Sequence, residues 1–233
     1  MNVNAGFLNH QLTFPRVQLA KIQTENNLSH LHQKNGVNYP PKSIYLRAFK
    51  QEQLLEIWAT DTIQFKFIKS YPFTAFSGKI GPKLREGDLQ IPEGFYIIDA
   101  FNQNSKFYLS FRINYPNAMD SVRNKNEQNP GSDIYIHGGN QTTGCIPIGD
   151  ENIAELYWLC AQSYALNPNI PIHIFPCKME EKNLDTIYTT FSEHIDFWNT
   201  MKLTYHCFQS HKMLNEITGI DNSGNNKLAI PEN

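Results

Sequence analysis

The segment "IHGGNQTTGCIPIGD", residues 136–150, carries His137 and Cys145 with seven residues between them, Gly138, Gly139 and Gly144 among these. A thiol attacks as the thiolate. Free cysteine titrates near ~8.5, and an imidazole, titrating near ~6.5, can take its proton. The glycines let the chain fold back and bring Cys145 within reach of His137. Gly144 also lets a backbone N–H approach a reacting carbonyl, and with the N–H of Cys145 it makes a candidate oxyanion hole. The imidazole needs a group to hold it. Asp133 lies four residues away along an extended strand, roughly 13 Å, so a backbone carbonyl of the Gly138-Gly139 turn is the better candidate.

Other chemistries compete for the same residues. A zinc site needs at least two further ligands, and no other Cys/His pair has metal-ligand spacing. A phosphate loop needs GxxxxGK[ST], which is absent. The structural alternative is a tight turn that happens to hold a histidine and a cysteine. His173 reads as a strand histidine and His194 as part of a helix stripe, so neither is an evident partner. Of the other cysteines, Cys160 falls on the apolar face of a helical pattern and reads as a small hydrophobe. Cys177 and Cys207 read as structural or free.

The elements that would position this segment are mostly strands. Short runs rich in β-branched and aromatic residues, "SIYLRAF", "LLEIWAT", "IQFKFIKSYPF", "FYIIDAF", "KFYLSFRI", "DIYIHG" and "NIPIHIF", alternate with turn-forming segments. In "DIYIHG", Ile134 and Ile136 share one face, while Asp133, Tyr135 and His137 share the other. The stretch "GKIGPKLREGDLQIPEG" is a charged, Gly/Pro-punctuated loop, and 114–132 is a long polar loop. Apolar positions at Val17, Ala20, Leu28 and Leu31 indicate a helix over 14–35. A second helix covers 151–166 with Asp150 as its N-cap. A long terminal helix is expected over 183–213, with Ile187, Phe191, His194, Trp198, Met201 and Tyr205 on one stripe. The last residues, "DNSGNNKLAIPEN", are expected to fray.

Composition sets the frame. The 233 residues, with 20 basic and 22 acidic side chains and a net charge of −2, carry no bulk electrostatic footprint for nucleic acid or an anionic membrane. Nor is there an apolar run of transmembrane length. The opening "MNVNAGFLNHQLTFPRVQ" lacks a signal-peptide pattern, so a cytoplasmic protein, or one whose export signal is outside this sequence, is expected. Four cysteines are too sparse for a disulfide scaffold.

The motif around Cys145 resembles that of the L,D-transpeptidase catalytic domains (YkuD type), a histidine-glycine strand end followed by Ser/Thr-x-Gly-Cys. His137-Gly138 and Thr142-Thr143-Gly144-Cys145 fill those places. Together with "SGKIGPKLREGDLQIPEGFYII", "NYPNAMD" and "HIFPCKM", the short spacing looks most like the YafK-like branch, over about residues 40–180. The resemblance implies an α+β fold: a mostly-β, mixed-sheet catalytic domain at 43–180, with helical extensions at 1–42 and 181–233. It implies Cys145 as nucleophile, His137 as base and later acid, the Gly138 carbonyl as orienter, and no metal or organic cofactor.

The implied partners are peptidoglycan stem peptides and, in one version, an envelope protein anchored to peptidoglycan. The implied place is the periplasm or envelope of a Gram-negative bacterium. The reaction would occur at the L-centre of diaminopimelate through a Cys145 thioester. An amine acceptor gives a cross-link, a protein lysine gives an anchor, and water gives carboxypeptidase or amidase activity. Thr142 and Thr143 fall beside the substrate by position in the motif, and Lys83 and Arg85 are candidate carboxylate binders or solvated loop residues. Where the family usually has arginine, two residues after the cysteine, this chain has Pro147, which favours hydrolysis or release of an anchor over cross-linking. An NlpC/P60-like peptidase would place cysteine before histidine. The rival from another class is a catalytically silent peptidoglycan-binding module.

Overall fold

The computed structural model describes residues 3–124, 129–214, 217–220 and 226–228. Helices α1 (Val3–Gln11) and α2 (Pro15–Lys34) lead into strands β1 (Ser43–Phe49), β2 (Leu54–Thr60), β3 (Lys66–Pro72), β4 (Gly94–Asn102) and β5 (Ser110–Ile113). Then come α3 (Ala118–Arg123), β6 (Tyr135–His137), β7 (Ile146–Pro147), α4 (Asp150–Leu166) and β8 (Pro171–Phe175). The chain continues through α5 (Glu181–Thr190), a 3₁₀ turn (Ser192–His194), α6 (Ile195–His211), β9 (Ile217–Ile220) and β10 (Asn226–Leu228). β1 to β8 form one eight-stranded mixed sheet, ordered β3-β2-β1-β8-β4-β5-β6-β7. The β1–β8 and β6–β7 pairs are parallel and the other pairings antiparallel. The architecture is α+β.

β1 explains how the sheet is covered. Side chains alternate along a strand, and here both faces are apolar. Ile44, Leu46 and Ala48 point into the larger core with Val17, Ala20 and Leu28 of α2 and Ile153, Leu156 and Tyr157 of α4. Tyr45 and Phe49 point the other way, against Phe208 and against Trp198, Met201 and Tyr205 of α6. The segments before residue 43 and after residue 180 therefore cover opposite faces of one sheet. On the α6 side the buried Arg47 guanidinium lies 4.7 Å from the Tyr205 ring centroid and 5.0 Å from those of Phe49 and Phe208. It donates to Gln209 Oε1 at 3.0 Å. Aromatic faces thus take the place of some of the hydrogen bonds that a buried guanidinium would otherwise need.

Several local expectations change. The stretch 114–132, expected to be a loop, contains α3, because the Asn117 side chain caps it by accepting the Met119 and Asp120 N–H groups. The terminal helix is broken at Phe191, whose φ of −135° and ψ of 59° are non-helical. The break lets α6 turn back so that Trp198 stacks on Tyr188 of α5, rings 6.2 Å apart. Only Ser110–Ile113 of "KFYLSFRI" forms a strand, because Tyr108 takes a left-handed φ of 69° and turns residues 104–109 out of the sheet. Asp150 is the first residue of α4 and not its cap. Gly149 holds the cap position, and the Asp150 carboxylate instead accepts the Gly139 N–H at 2.8 Å. Near the C-terminus, β10 pairs with β9 where fraying was expected. The other residues of 221–233 lie outside the described residues.

Candidate active site

The site lies at the short-strand end of the sheet. Ser110 of β5 pairs with His137, Arg112 with Tyr135, and Ile136 with Ile146 in the parallel β6–β7 pair. Ile134 and Ile136 are buried in the core, which sends Tyr135 and His137 to the opposite face. Running the parallel register back one residue sets Cys145 beside Tyr135. All three side chains line one cavity of about 370 Å³, with Ser110 and the loop that joins β4 to β5.

His137 is buried, and its Nδ1 lies 2.6 Å from the Gly138 carbonyl oxygen. A carbonyl only accepts, so Nδ1 carries the proton and Nε2 keeps its lone pair. Burial holds the imidazole below the usual histidine range, and the Gly138 bond works against this by favouring the charged form. The Phe107 ring covers His137 with centroids 4.5 Å apart. The turn is fixed from several sides. The Gly138 N–H donates to Phe107 O at 3.1 Å, and a Cβ at Gly138 would come 2.6 Å from that oxygen. Thr74 donates its hydroxyl to Gly139 O at 2.7 Å, and Ile148 donates its N–H to His137 O at 2.9 Å.

Cys145 is half-buried. Its Sγ accepts the Tyr135 N–H at 3.4 Å and faces the Asp133 carbonyl at 3.8 Å. Asp133 adopts a left-handed φ of 57°, which aims that carbonyl at the thiol. Burial pushes the thiol above its ordinary range. The Tyr135 N–H draws it down, the Asp133 charge pushes it up, and Lys83 draws it down. Both shifts favour a neutral thiol and a neutral imidazole at neutral pH. The direct thiol–imidazole hydrogen bond expected from spacing is absent among the described residues, because the register sets Cys145 opposite Tyr135, one same-face step before His137.

The remaining predicted residues sort clearly. Thr142 is not among the residues that line the cavity: its hydroxyl donates to Cys145 O at 2.7 Å and accepts the Gly144 N–H at 3.1 Å, so it buttresses the turn that carries Cys145. The Gly144 N–H is therefore already engaged, and the oxyanion role expected of it requires Thr142 to release it. Gly144 itself sits at φ 128°, with Gln90 O only 2.9 Å from where a Cβ would stand, so no side chain fits there. Thr143 is exposed and outside the cavity.

Lys83 is buried and committed, donating to Asp88 Oδ1 at 2.6 Å and to Arg85 O at 2.9 Å. Asp88 would be raised by burial. The bonds from Lys83 and from the N–H groups of Arg85, Gln90 and Leu84 outweigh this and lower it. Lys83 thus braces its loop and is not a free carboxylate binder. Arg85 is exposed and outside the cavity. Pro147 is buried in the edge strand β7, where its missing N–H is tolerated, and its carbonyl accepts the Thr74 N–H at 2.9 Å.

Sequence reasoning missed the β4–β5 loop. Asn102, Asn104, Ser105, Lys106 and Phe107 all line the cavity. This loop has no periodicity to announce it. It is tied down by Arg16 of α2, whose Nη1 donates to Ser105 O at 2.7 Å and Tyr108 O at 2.8 Å. Among the described residues there is no cluster of three or more His, Cys, Asp or Glu side chains placed to hold a metal, and no helix long and apolar enough to cross a membrane.

The L,D-transpeptidase catalytic domain (YkuD) matches residues 43–172, more than half of the chain and the whole run from β1 into β8. A protein of Escherichia coli K12, provisionally named L,D-transpeptidase YafK, is 28% identical over 169 residues. That match covers 71% of this chain and 66% of the relative, so the chain spans just under two thirds of the relative's length. Among solved structures, the helical cell shape determining protein Pgp2 of Campylobacter jejuni is similar with a TM-score of 0.47 and 20% identity, over 70% of this chain and 59% of that one. Bd1075 of Bdellovibrio bacteriovorus gives a TM-score of 0.42 and 21% identity, over 72% and 68%. With its central strands, His137-Gly138 and Gly144-Cys145 all inside the matched span, the chain belongs to the YkuD family of L,D-transpeptidase catalytic domains.

Proposed function

We propose that the protein is a cysteine enzyme of the bacterial envelope that acts on peptidoglycan stem peptides at the L-centre of diaminopimelate. Membership of the family supports a peptidoglycan-modifying function. The observation that carries the cysteine chemistry is the shared cavity, where a half-buried thiol and a histidine bonded through Nδ1 to Gly138 O face the same space. Cys145 Sγ attacks the carbonyl carbon of the L-centre while its proton passes to Nε2 of His137, and a C–S bond forms. Collapse breaks the C–N bond and returns that proton to the leaving amine. Water, a stem-peptide amine or a protein lysine then cleaves the thioester. Because both resting groups are neutral, the proton transfer accompanies attack.

The Cys145 N–H, and Gly144 N–H once released by Thr142, would receive the developing oxyanion. The buried proline at 147 leaves the nucleophile strand without a cation for a second stem peptide. This favours hydrolysis or release of an anchored protein over cross-linking, in the periplasm of a Gram-negative cell. The test is to incubate the protein and Cys145→Ala with tetrapeptide, tripeptide-anchor and cross-linked muropeptides and weigh the products. Cys145-dependent cleavage or transfer is expected. Unchanged substrates, with no adduct to a carbapenem at Cys145, would instead favour a silent peptidoglycan-binding module.

A further inference from the structure

We infer that Lys106 is the carboxylate-binding residue of this site and selects stem peptides that carry a free carboxylate next to the scissile bond; this rests on the functional reading above. Four cations come near Cys145 by sequence or structure. Arg112, paired with Tyr135, is spent on Asp99, its Nε donating to Oδ1 at 3.0 Å. Lys83 is spent on Asp88 and Arg85 O, and Arg85 lies outside the cavity. Lys106 lines the cavity with Cys145 and His137 and is exposed, with no ion pair among the described residues. It is the one lysine or arginine among the lining residues, and no aspartate or glutamate lines the cavity to offset it. His137 adds no charge while its imidazole is neutral.

The backbone under Lys106 is fixed on both sides. Arg16 holds Ser105 O at 2.7 Å and Tyr108 O at 2.8 Å, the Phe107 N–H donates to Ser105 Oγ at 3.1 Å, and Phe107 O accepts the Gly138 N–H at 3.1 Å. A lysine whose backbone is anchored to the histidine turn itself presents its side chain to the cavity that Cys145 and His137 line. Only the four-carbon stem is free to adjust. An anion in this cavity meets a single uncommitted cation, amide side chains at Asn102 and Asn104, and no carboxylate in the lining; the Asp133 charge acts on Cys145 from outside it. Stem peptides carry carboxylates on the diaminopimelate D-centre and at the peptide terminus. In this chain the cation that would read them comes from the β4–β5 loop, because position 147 is filled by a strand proline.

The experiment separates recognition from turnover. In the Cys145→Ala protein, binding of a synthetic stem tetrapeptide is titrated by calorimetry, beside analogues amidated at one carboxylate at a time. The expected result is that adding Lys106→Gln weakens the free tetrapeptide roughly five- to tenfold, the scale of a partly desolvated charge-assisted bond. Lys106→Arg restores binding, and one amidated analogue is already weak and indifferent to Lys106→Gln. Equal affinity of the Lys106→Gln and parent proteins for every peptide overturns the assignment and leaves the functional reading standing. Failure of the parent to bind any stem peptide, while folded by circular dichroism, overturns both.

Discussion

Lys50 tests how the loop packed against the Cys145 turn is held. Its Nζ is fully buried and donates to Gly81 O at 2.6 Å, Ile91 O at 2.9 Å and Glu93 Oε1 at 2.9 Å. Burial pulls Lys50 below the usual lysine range, and the Glu93 charge and hydrogen bond oppose this; three acceptors around one amine favour the ammonium form. Glu93 in turn accepts the Gly81 N–H at 2.7 Å and Trp198 Nε1–H at 2.7 Å, so the pair links β1, the 77–93 loop and α6. Lys50→Met removes the cation and strands a buried carboxylate together with two carbonyls. Breaking a buried pair in this way costs about 3–5 kcal/mol, against a whole-domain stability of about 5–15 kcal/mol. With a urea slope of about 2–3 kcal/mol per M, the unfolding midpoint should fall by about 1–2.5 M. Adding Glu93→Gln should recover part of the loss, because the uncompensated charge is gone. A Lys50→Met midpoint within about 0.3 M of wild type, or a double variant less stable than Lys50→Met, would refute this reasoning.

Further outcomes follow from the same geometry. Gly144→Ala meets Gln90 O at 2.9 Å in a left-handed backbone, so it should cost about 1–3 kcal/mol and abolish carbapenem acylation of Cys145, read by intact mass. Because the Cys145 thiol is pushed up by burial, its alkylation by iodoacetamide should keep rising through and above pH 8.5; a plateau below pH 7 would point to a preformed thiolate–imidazolium pair. Burial, with Arg47 adding to it, lowers His173 to about 3 from 6.5, so it contributes stability that is present above pH 6.5 and lost as pH falls toward 3. That gap is worth about 4–5 kcal/mol, and His173→Asn should flatten this part of the stability–pH curve in urea titrations. Arg16→Met frees the carbonyls of Ser105 and Tyr108, and should raise KM for stem peptides more than it lowers kcat.

What could be read from sequence was what local chemistry decides. β1 and β2 coincide with "SIYLRAF" and "LLEIWAT", since β-branched and aromatic runs bounded by turn residues have few other uses. His137, Gly138 and Cys145 stand out because glycines flank two groups capable of proton transfer. What stayed hidden depends on contacts distant in sequence. Nothing near Ser105 or Lys106 announces that Arg16, on a helix before the first strand, fastens their loop beside Phe107 and His137. The engagement of Gly144 by Thr142 needs the turn's actual shape, and the commitment of Lys83 depends on Asp88 folding back. The break at Phe191 was masked by an apolar stripe that continues across it, because α5 and α6 both present their apolar faces to the same core.

These hidden contacts change what the helical extensions do. Arg16 of the N-terminal extension fixes the β4–β5 loop on one rim of the cavity. Trp198 of the C-terminal extension fixes Glu93, and through Lys50 the carbonyl of Ile91, which follows the Gln90 carbonyl packed against Gly144. One extension therefore supports the loop on the rim of the cavity, and the other supports the turn that carries Cys145. In the proposed reaction a neutral thiol and imidazole bring little charge of their own, so the rate would depend on their being held within reach of each other and of a bound carbonyl. Held in this way by both extensions, residues 43–180 should lose acylation at Cys145 when either extension is cut away, even if the excised sheet still folds. A truncated protein that keeps both its fold and its acylation rate would show that positioning comes from the sheet alone.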